Sequence, residues 1–185
     1  LALHHQEAHF LIAINESTTY WRPAGGGWVD EVVLGRGDED SVDLVITPDG
    51  QPHVVRAGFS LMHSQRSVDG VWTEERVDWV SRPHRLRARV LGDAIHVVFR
   101  DGDDSLGFAR FDGTEWTIRM QTVGPRLSHP SFAIAVDGTI AVIYSIGDRQ
   151  VGLGTMTPSG EWSDLVLTTG VMRATDEHAV VIDRM

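Results

Sequence analysis

Four arginines are the residues of this sequence best suited to binding chemistry. Arg87 and Arg89 alternate within the stretch HRLRARVLGD, while Arg56 and Arg100 each close a run that is rich in valine. The planar guanidinium fork matches a carboxylate or a sulfate, so these arginines are candidate ligand-binding residues. An unpaired buried charge is costly, and structural pairing with acidic side chains is therefore the competing interpretation. The acidic partners available for such pairing are Asp43, Glu75 and Asp78.

Histidines recur along the chain in a second pattern. His9, His53 and His96 each stand at the head of an apolar run, and Ala141 takes the same position in a fourth run. Recurrence favours a half-buried ring that is hydrogen-bonded within its own unit. Rings in separate units would also lie too far apart to share one metal ion.

Two stretches carry possible metal ligands, but neither has the required pattern. HHQEAHF contains His5, Glu7 and His9 without the His-Glu-x-x-His order that a zinc helix uses. The acidic stretch 101–105 offers fewer oxygen ligands than a calcium loop needs. We therefore expect no metal site and no other cofactor.

The elements that must position these side chains recur with a fixed period. Turns ending in GGGW, DGVW, DGTEW and SGEW close at tryptophans spaced 44, 44 and 46 residues apart, and the apolar runs follow in step with spacings of 44, 43 and 45. Asp-Gly or Gly-Asp pairs precede three of those runs, at Asp49-Gly50, Gly92-Asp93 and Asp137-Gly138. Each unit thus carries two hairpin turns, and hence four short strands.

The third unit shows the expected layout. Strands are predicted at about 85–91, 95–100, 105–111 and 116–122, because β-branched and aromatic residues fill these segments and no helical period is sustained. Four strands in about 40–50 residues are typical of a β-propeller blade. A β-sandwich would not repeat both turns so regularly, and a β-helix has shorter coils.

The sequence therefore predicts one all-β domain, 1–185, folded as a β-propeller of four-stranded antiparallel blades, about four of them in this chain. The predicted units cover about 1–36, 37–80, 81–124 and 125–170. In this alignment Arg87 and Arg89 correspond to Leu44 and Ile46 of the second unit and to Phe132 and Ile134 of the fourth, so two arginines stand where apolar side chains are expected. A spare inner strand lies in 171–185 and includes Ala174–Asp183. This spare strand could close a four-bladed ring. Alternatively, the chain belongs to a propeller of about five to seven blades, completed by a missing segment or by another copy in a homo-oligomer.

The tryptophan turns resemble a degenerate Asp-box, the Ser-x-Asp-x-Gly-x-x-Trp turn of bacterial neuraminidase repeats and sialidase-like propellers. SVDGVW comes closest, with Ser67, Asp69, Gly70 and Trp72. The resemblance implies that the repeated tryptophans pack between blades as structural residues. They are Trp28, Trp72, Trp116 and Trp162.

The resemblance also frames three functional hypotheses. The first is a propeller module that binds a carbohydrate or a surface partner, in an extracellular or cell-surface setting. The second is a sialidase-like glycoside hydrolase or lyase acting on an acidic glycan, whose carboxylate an arginine cluster would bind. Tyr20 and Tyr144 are the only tyrosines, and no segment matches that family's catalytic motifs, so no catalytic residue is assigned and enzymatic activity stays undecided. The third is a protein-interaction scaffold.

Composition excludes several other classes. With 16 basic and 26 acidic residues the net charge is −10, which argues against a nucleic-acid partner. There is no cysteine to form a disulfide or a thiolate site, and no apolar run reaches the length of a membrane span. All basic residues are arginine, which suggests a GC-rich bacterial genome.

Overall fold

The computed structural model describes residues 2–4, 7–14, 17–33, 41–78, 80, 82–102, 104–147 and 150–168. Within these ranges the chain forms sixteen β-strands. They are β1 (Ala2–His4), β2 (Glu7–Ile14), β3 (Ser17–Ala24), β4 (Gly27–Val33), β5 (Ser41–Ile46), β6 (Pro52–Ala57), β7 (Leu61–Arg66), β8 (Trp72–Asp78), β9 (Pro83–Leu91), β10 (Ala94–Asp101), β11 (Ser105–Phe111), β12 (Trp116–Thr122), β13 (Leu127–Ile134), β14 (Ile140–Ile146), β15 (Gln150–Met156) and β16 (Trp162–Thr168).

Each group of four consecutive strands forms one antiparallel sheet, and we number these sheets 1 to 4 in chain order. The strands predicted for the third unit are confirmed, and β11 and β12 have the predicted bounds. Strand β9 begins two residues earlier than expected, at Pro83. Tight turns join the strands, and Gly70 and Gly113 supply the positive φ, 85° and 100°, that two of these turns require.

The four sheets stack face to face through their first strands. Strand β5 lies against β1 and β9, and β9 also lies against β13. Side chains of β5 satisfy the free edge of β9, because Ser41 Oγ accepts the Leu86 N–H at 2.8 Å and Asp43 Oδ2 accepts the Ala88 N–H at 2.9 Å. These bonds fix neighbouring sheets at the inner edge of the stack.

Three apolar clusters fill the spaces between the sheets. Tyr20 and Trp72 lie in the cluster of sheets 1 and 2, and Phe99 and Phe111 lie in the cluster between sheets 2 and 3. Tyr144 lies in the cluster that joins sheets 3 and 4. Each sheet is thus buried on the face that meets its neighbour, as the alternation along its strands predicts.

The ends of the stack bear on blade number. Within the described residues, sheets 1 and 4 share no strand. The predicted spare strand in 171–185 lies outside the described residues, and so do His5 and Gln6 between β1 and β2. In the part of the chain that the structure describes, no helix is long and apolar enough to cross a bilayer.

Candidate functional site

The same contact joins each pair of neighbouring sheets. A ring on the third strand of one sheet packs against the tryptophan that opens the fourth strand of the next. The ring centroids are 5.5 Å apart for Tyr20 and Trp72, 5.1 Å for His63 and Trp116, and 5.6 Å for Phe108 and Trp162. Trp28 of sheet 1 instead lies 4.7 Å from Phe10 of its own sheet and is 49% exposed.

A glutamate receives the indole N–H at two of these interfaces. Trp72 Nε1 donates to Glu31 at 3.3 Å, and Trp116 Nε1 donates to Glu75 at 3.1 Å. Each glutamate follows its own sheet's tryptophan by three residues. In sheet 3 that position is Arg119, which has no acceptor to offer the next tryptophan. The third interface is therefore chemically different from the first two.

The interface of sheets 1 and 2 is closed by ion pairs. Glu31 accepts Arg22 Nε at 2.9 Å and both Nε and Nη2 of Arg66, at 2.5 and 2.9 Å. Burial opposes ionisation of Glu31, but the bonds from Arg66 and Arg22 outweigh it and hold the pKa of this carboxyl below its usual value. Arg22, Glu31 and Arg66 therefore neutralise one another at this interface.

The interface of sheets 2 and 3 is closed by a chain of imidazoles. His53 Nδ1 and His63 Nε2 are 2.9 Å apart, and His63 Nδ1 lies 2.9 Å from Glu75 Oε1. Burial, together with the neighbouring His63, lowers the pKa of His53 to about 4. Burial also lowers the pKa of His63, although Glu75 opposes that shift. Both rings are therefore neutral near pH 7 and serve as packing and hydrogen-bonding groups.

The interface of sheets 3 and 4 is open at one end. A cleft of about 650 Å³ lies between these sheets, at the end where the turns β9–β10, β13–β14 and β15–β16 meet. Apolar atoms of Phe108, Ile118 and Met156 form part of its lining. Among the described residues that line it, Asp137 is the one carboxylate, while Arg110 and Arg119 bring two guanidinium groups.

Strand register places several arginines on the face of sheet 3 that meets sheet 4. Directly opposed residues of antiparallel strands share a face, and Val98 and Phe108 mark this face because they belong to the cluster with sheet 4. Two rows cross all four strands: Arg89, His96, Arg110 and Thr117, and then Arg87, Val98, Phe108 and Arg119.

Three of the four sequence-predicted arginines lie on this face. Arg87 and Arg89 stand in the two rows, and Arg100 follows Val98 by two residues along β10. Arg89 Nη1 lies 3.8 Å from Asp43 Oδ2, with its guanidinium 5.8 Å from the centre of the Phe132 ring. Arg100 Nε donates to the Gly102 carbonyl at 2.5 Å.

The structure does not bring Arg56 to the same place. Arg56 is 4% exposed and pairs with Glu74 of β8. It follows Val54, which packs in the cluster of sheets 1 and 2. Arg56 therefore faces sheet 1, whereas Arg100 faces sheet 4, although both close the second strand of their sheets.

The expected alignment of the first strands was wrong by one residue. If the spacing between units were constant, Arg89 would correspond to Ile46. In the structure Arg89 is paired with His96, and the residue paired with the equivalent His53 is Val45, so Arg89 corresponds to Val45. The cause is the turn before the second strand, which spans residues 47–51 in sheet 2 and only 92–93 in sheet 3. A one-residue shift moves a side chain to the other face, so Arg89 does not replace a hydrophobe of the Ile46 type.

The three recurring histidines are buried. His9 Nδ1 is 2.6 Å from the Tyr20 hydroxyl, and His53 bonds to His63, so the expected hydrogen bonding within a unit is confirmed for these two residues. His96 is buried beside the cleft, and burial, with a smaller contribution from Arg110, lowers its pKa. No group of three possible metal ligands is found among the described residues.

Arg110 and Arg119 were missed from the sequence, although one signal was present. Arg119 follows Trp116 by three residues, where Glu31 and Glu75 follow the tryptophans of sheets 1 and 2. A reversal of charge at a repeated position marks a departure from the structural pattern. Arg110 carries no comparable signal, because only the register shows that it lies opposite His96.

Solved structures with this architecture are lectins and glycoside hydrolases. The lectin SapL1, solved with α-methyl fucoside, matches with a TM-score of 0.59 and 14% identity over 86% of this chain and 61% of that chain. The fold is a β-propeller. The lectin of Aleuria aurantia, described as six-bladed with a novel fucose recognition mode, matches with a TM-score of 0.61 and 11% identity over 89% of this chain and 57% of that one.

An engineered glycoside hydrolase of family 43 also has this architecture. It matches with a TM-score of 0.56 and 13% identity over 95% of this chain and 42% of its own length. The present chain thus spans less than two thirds of each of these proteins. No protein-family model and no curated protein sequence matches it.

Proposed function

We propose that this chain is a carbohydrate-binding propeller module whose site is the cleft between sheets 3 and 4. The observation that carries the proposal is the cleft itself, a concave space of about 650 Å³ between two blades. That volume lies within the range of about 300–1,000 Å³ that is usual for small-ligand sites. The likeness to propellers described as fucose-binding lectins supports the same conclusion.

The lining suits a sugar better than a purely apolar ligand. Phe108 and the exposed Val136 offer apolar surface to the C–H faces of a ring, while Thr117, Arg110 and Asp137 offer hydrogen-bonding groups to its hydroxyls. A few polar groups set around apolar surface fix the orientation of a bound molecule.

Binding is favoured over hydrolysis at this site. Glycoside hydrolases generally use two carboxyl groups that flank the scissile bond. Among the described residues of the lining, Asp137 stands alone, and the amide of Thr139 lowers the pKa of its carboxyl. A carboxyl held ionised is a poor general acid, so a sialidase-like hydrolase or lyase is the less favoured alternative at this cleft.

A glycan array followed by calorimetry tests the proposal. Thr117 is an exposed residue of β12 that lines the cleft, and Thr122 is an exposed residue at the end of the same strand that does not. We expect Thr117→Trp to weaken binding of any array-positive glycan by at least about tenfold, because the indole fills the cleft. Thr122→Trp should bind as the unmodified chain does.

Thermal unfolding of both variants verifies that they remain folded. A chain that binds no glycan, or a glycan affinity indifferent to Thr117→Trp, would contradict the proposal and leave the protein-interaction scaffold as the better account.

A further inference from the structure

We propose that the cleft between sheets 3 and 4 binds an acidic saccharide, with Arg110 and Arg119 holding its carboxylate or sulfate group. This inference rests on the proposed carbohydrate-binding function and adds the chemical class of the ligand. It follows from the pairing state of the arginines, from the charge of the lining and from the departure of this interface from the repeat.

Three arginines at the interface of sheets 1 and 2 are neutralised inside the protein. Arg22 and Arg66 pair with Glu31, and Arg56 pairs with Glu74. In contrast, the side chains of Arg110 and Arg119 are exposed, and within the described ranges neither guanidinium group makes a hydrogen bond or an ion pair with another residue. Both guanidinium forks are therefore available to a ligand.

Neighbouring carboxylates compensate these charges only weakly. The pKa of Asp112 is lowered chiefly by hydrogen bonds within its own turn, and the charge of Arg110 contributes least. Asp112, two residues after Arg110, accepts the amides of Thr114 and Glu115 at 3.0 Å each. Asp137 accepts the amide of Thr139 at 2.9 Å. Both carboxylates are thus committed to their own turns, and the cleft keeps an excess of positive charge in a chain whose net charge is −10.

Arg119 is placed against the opposite wall of the cleft. A Cβ built on Gly160, in the turn between β15 and β16, would come within 1.2 Å of Arg119 Nη1. The guanidinium therefore occupies the space beside a glycine of sheet 4 and spans the interface. Arg110 reaches the same cleft from the neighbouring row of sheet 3.

This arrangement matches an anion on a sugar. Two guanidinium forks on one face of the cleft can both donate charge-assisted hydrogen bonds to an anion. His96 is buried beside them and neutral near pH 7, so it adds a hydrogen-bonding group without further charge. A neutral sugar would offer these two forks no charged acceptor.

Matched saccharides separate charge from sugar recognition. The carboxylate probes are trigalacturonic acid and its fully methyl-esterified form, and the sulfate probes are a sulfated heparin-type hexasaccharide and its desulfated form. Calorimetry is carried out with the unmodified chain and with Arg110→Gln, Arg119→Gln and Arg76→Gln. Arg76 is an exposed arginine of β8 outside the cleft, so its substitution removes the same charge elsewhere.

We expect an acidic probe to bind at least about tenfold more tightly than its neutral form, and each cleft substitution to weaken it by about tenfold. Arg76→Gln should change the affinity by less than about twofold. Ionic strength near 1 M, where the screening length is about 3 Å, should weaken binding to the unmodified chain more than to Arg119→Gln. If the galacturonate probes show this difference in affinity, the anion is a carboxylate, and if the heparin-type probes show it, the anion is a sulfate.

Two results overturn the inference and are distinguishable from each other. The first result is that charged and neutral probes bind equally, or that neutral glycans bind and this binding is lost in Thr117→Trp but kept in both cleft glutamine variants. It would leave the carbohydrate-binding function standing and contradict the acidic ligand. Failure of every probe and of the whole glycan array removes both.

Discussion

Glu31 and Glu75 occupy equivalent repeat positions with unequal surroundings. The Glu31 side chain is 17% exposed and bonds to Arg22 and Arg66, whereas that of Glu75 is 54% exposed and faces His63. Removing the charge of Glu31 would leave two guanidinium groups without their partner in a partly desolvated space. An exposed carboxylate contributes much less.

We therefore expect Glu31→Gln to lower the free energy of unfolding by about 2 kcal/mol and Glu75→Gln by less than about 1 kcal/mol. Urea denaturation followed by tryptophan fluorescence measures both. Equal losses for the two variants would show that the ion pairs of Glu31 add nothing to the shared indole hydrogen bond.

His53 gives stability a dependence on pH. Burial and the adjacent His63 lower the pKa of His53 to about 4, while the unfolded chain has an ordinary value near 6.5. Between these values the unfolded state binds more protons, so stability is greatest above about pH 6.5 and is lost as the pH falls towards about 4. The shift corresponds to a loss on the order of 3 kcal/mol.

Denaturation at a series of pH values tests this dependence, with His53→Gln compared to the unmodified chain. The variant should show a flatter profile between about pH 6.5 and pH 4.5, above the range where carboxylates titrate. His84→Gln, at a partly exposed position of β9, is the matched control and should keep the original slope. A slope unchanged in His53→Gln would contradict the assignment.

At the scale of the strand, a glycine opposite a buried ring recurs. Gly107 of β11 is the direct partner of Phe99, and Gly152 of β15 is the direct partner of Tyr144. A Cβ added to Gly107 would lie 2.1 Å from Phe99 Cζ, and Phe99 is fully buried. Because glycine has no side chain, the aromatic ring of the partner strand packs directly over its backbone.

Gly107→Ala should therefore lower the free energy of unfolding by about 1–3 kcal/mol, because the core is close-packed and the ring must move. Gly27→Ala is the control, since its nearest neighbour to an added Cβ is the Ala24 carbonyl oxygen at 4.0 Å. It should stay within about 0.5 kcal/mol of the unmodified chain. Thermal denaturation of both variants measures the difference, and a stable Gly107→Ala would show that the core there is loosely packed.

The strands also show where pattern reasoning reaches its limit. Turn residues and β-branched runs place β11 and β12 correctly, because both signals are local. The face of Arg89 could not be predicted in this way. It depends on whether the turn that follows the first strand has two residues, 92–93, or five, 47–51, and the spacing of His53 and His96 hides that difference.

Among the described residues, the two end sheets of the stack carry apolar side chains on their outer faces. Phe10, Trp21 and Trp28 lie on the face of sheet 1 that points away from sheet 2. Leu153 and Leu165 are paired on the outer face of sheet 4 and are 39% and 58% exposed. Exposed apolar patches of this kind mark contact surfaces.

We expect the chain to associate at high concentration through these faces. Leu165→Glu should shift sedimentation towards the single chain, because it places a charge in the patch. Val68→Glu, in the exposed turn before β8, should leave association unchanged. A chain that sediments as a monomer at every concentration would contradict this expectation.

The sequence alone determined the repeat, the all-β class and most strand bounds, because turn chemistry and side-chain alternation act between residues close in the chain. It also identified Arg87 and Arg89 as departures from the apolar pattern of the first strands. Only the tertiary structure decided that Arg56 faces sheet 1 and that Arg110 and Arg119 share an open cleft. Which face a side chain takes, and whether a carboxylate meets it, depend on strand register and sheet stacking, and these are set by contacts between distant residues.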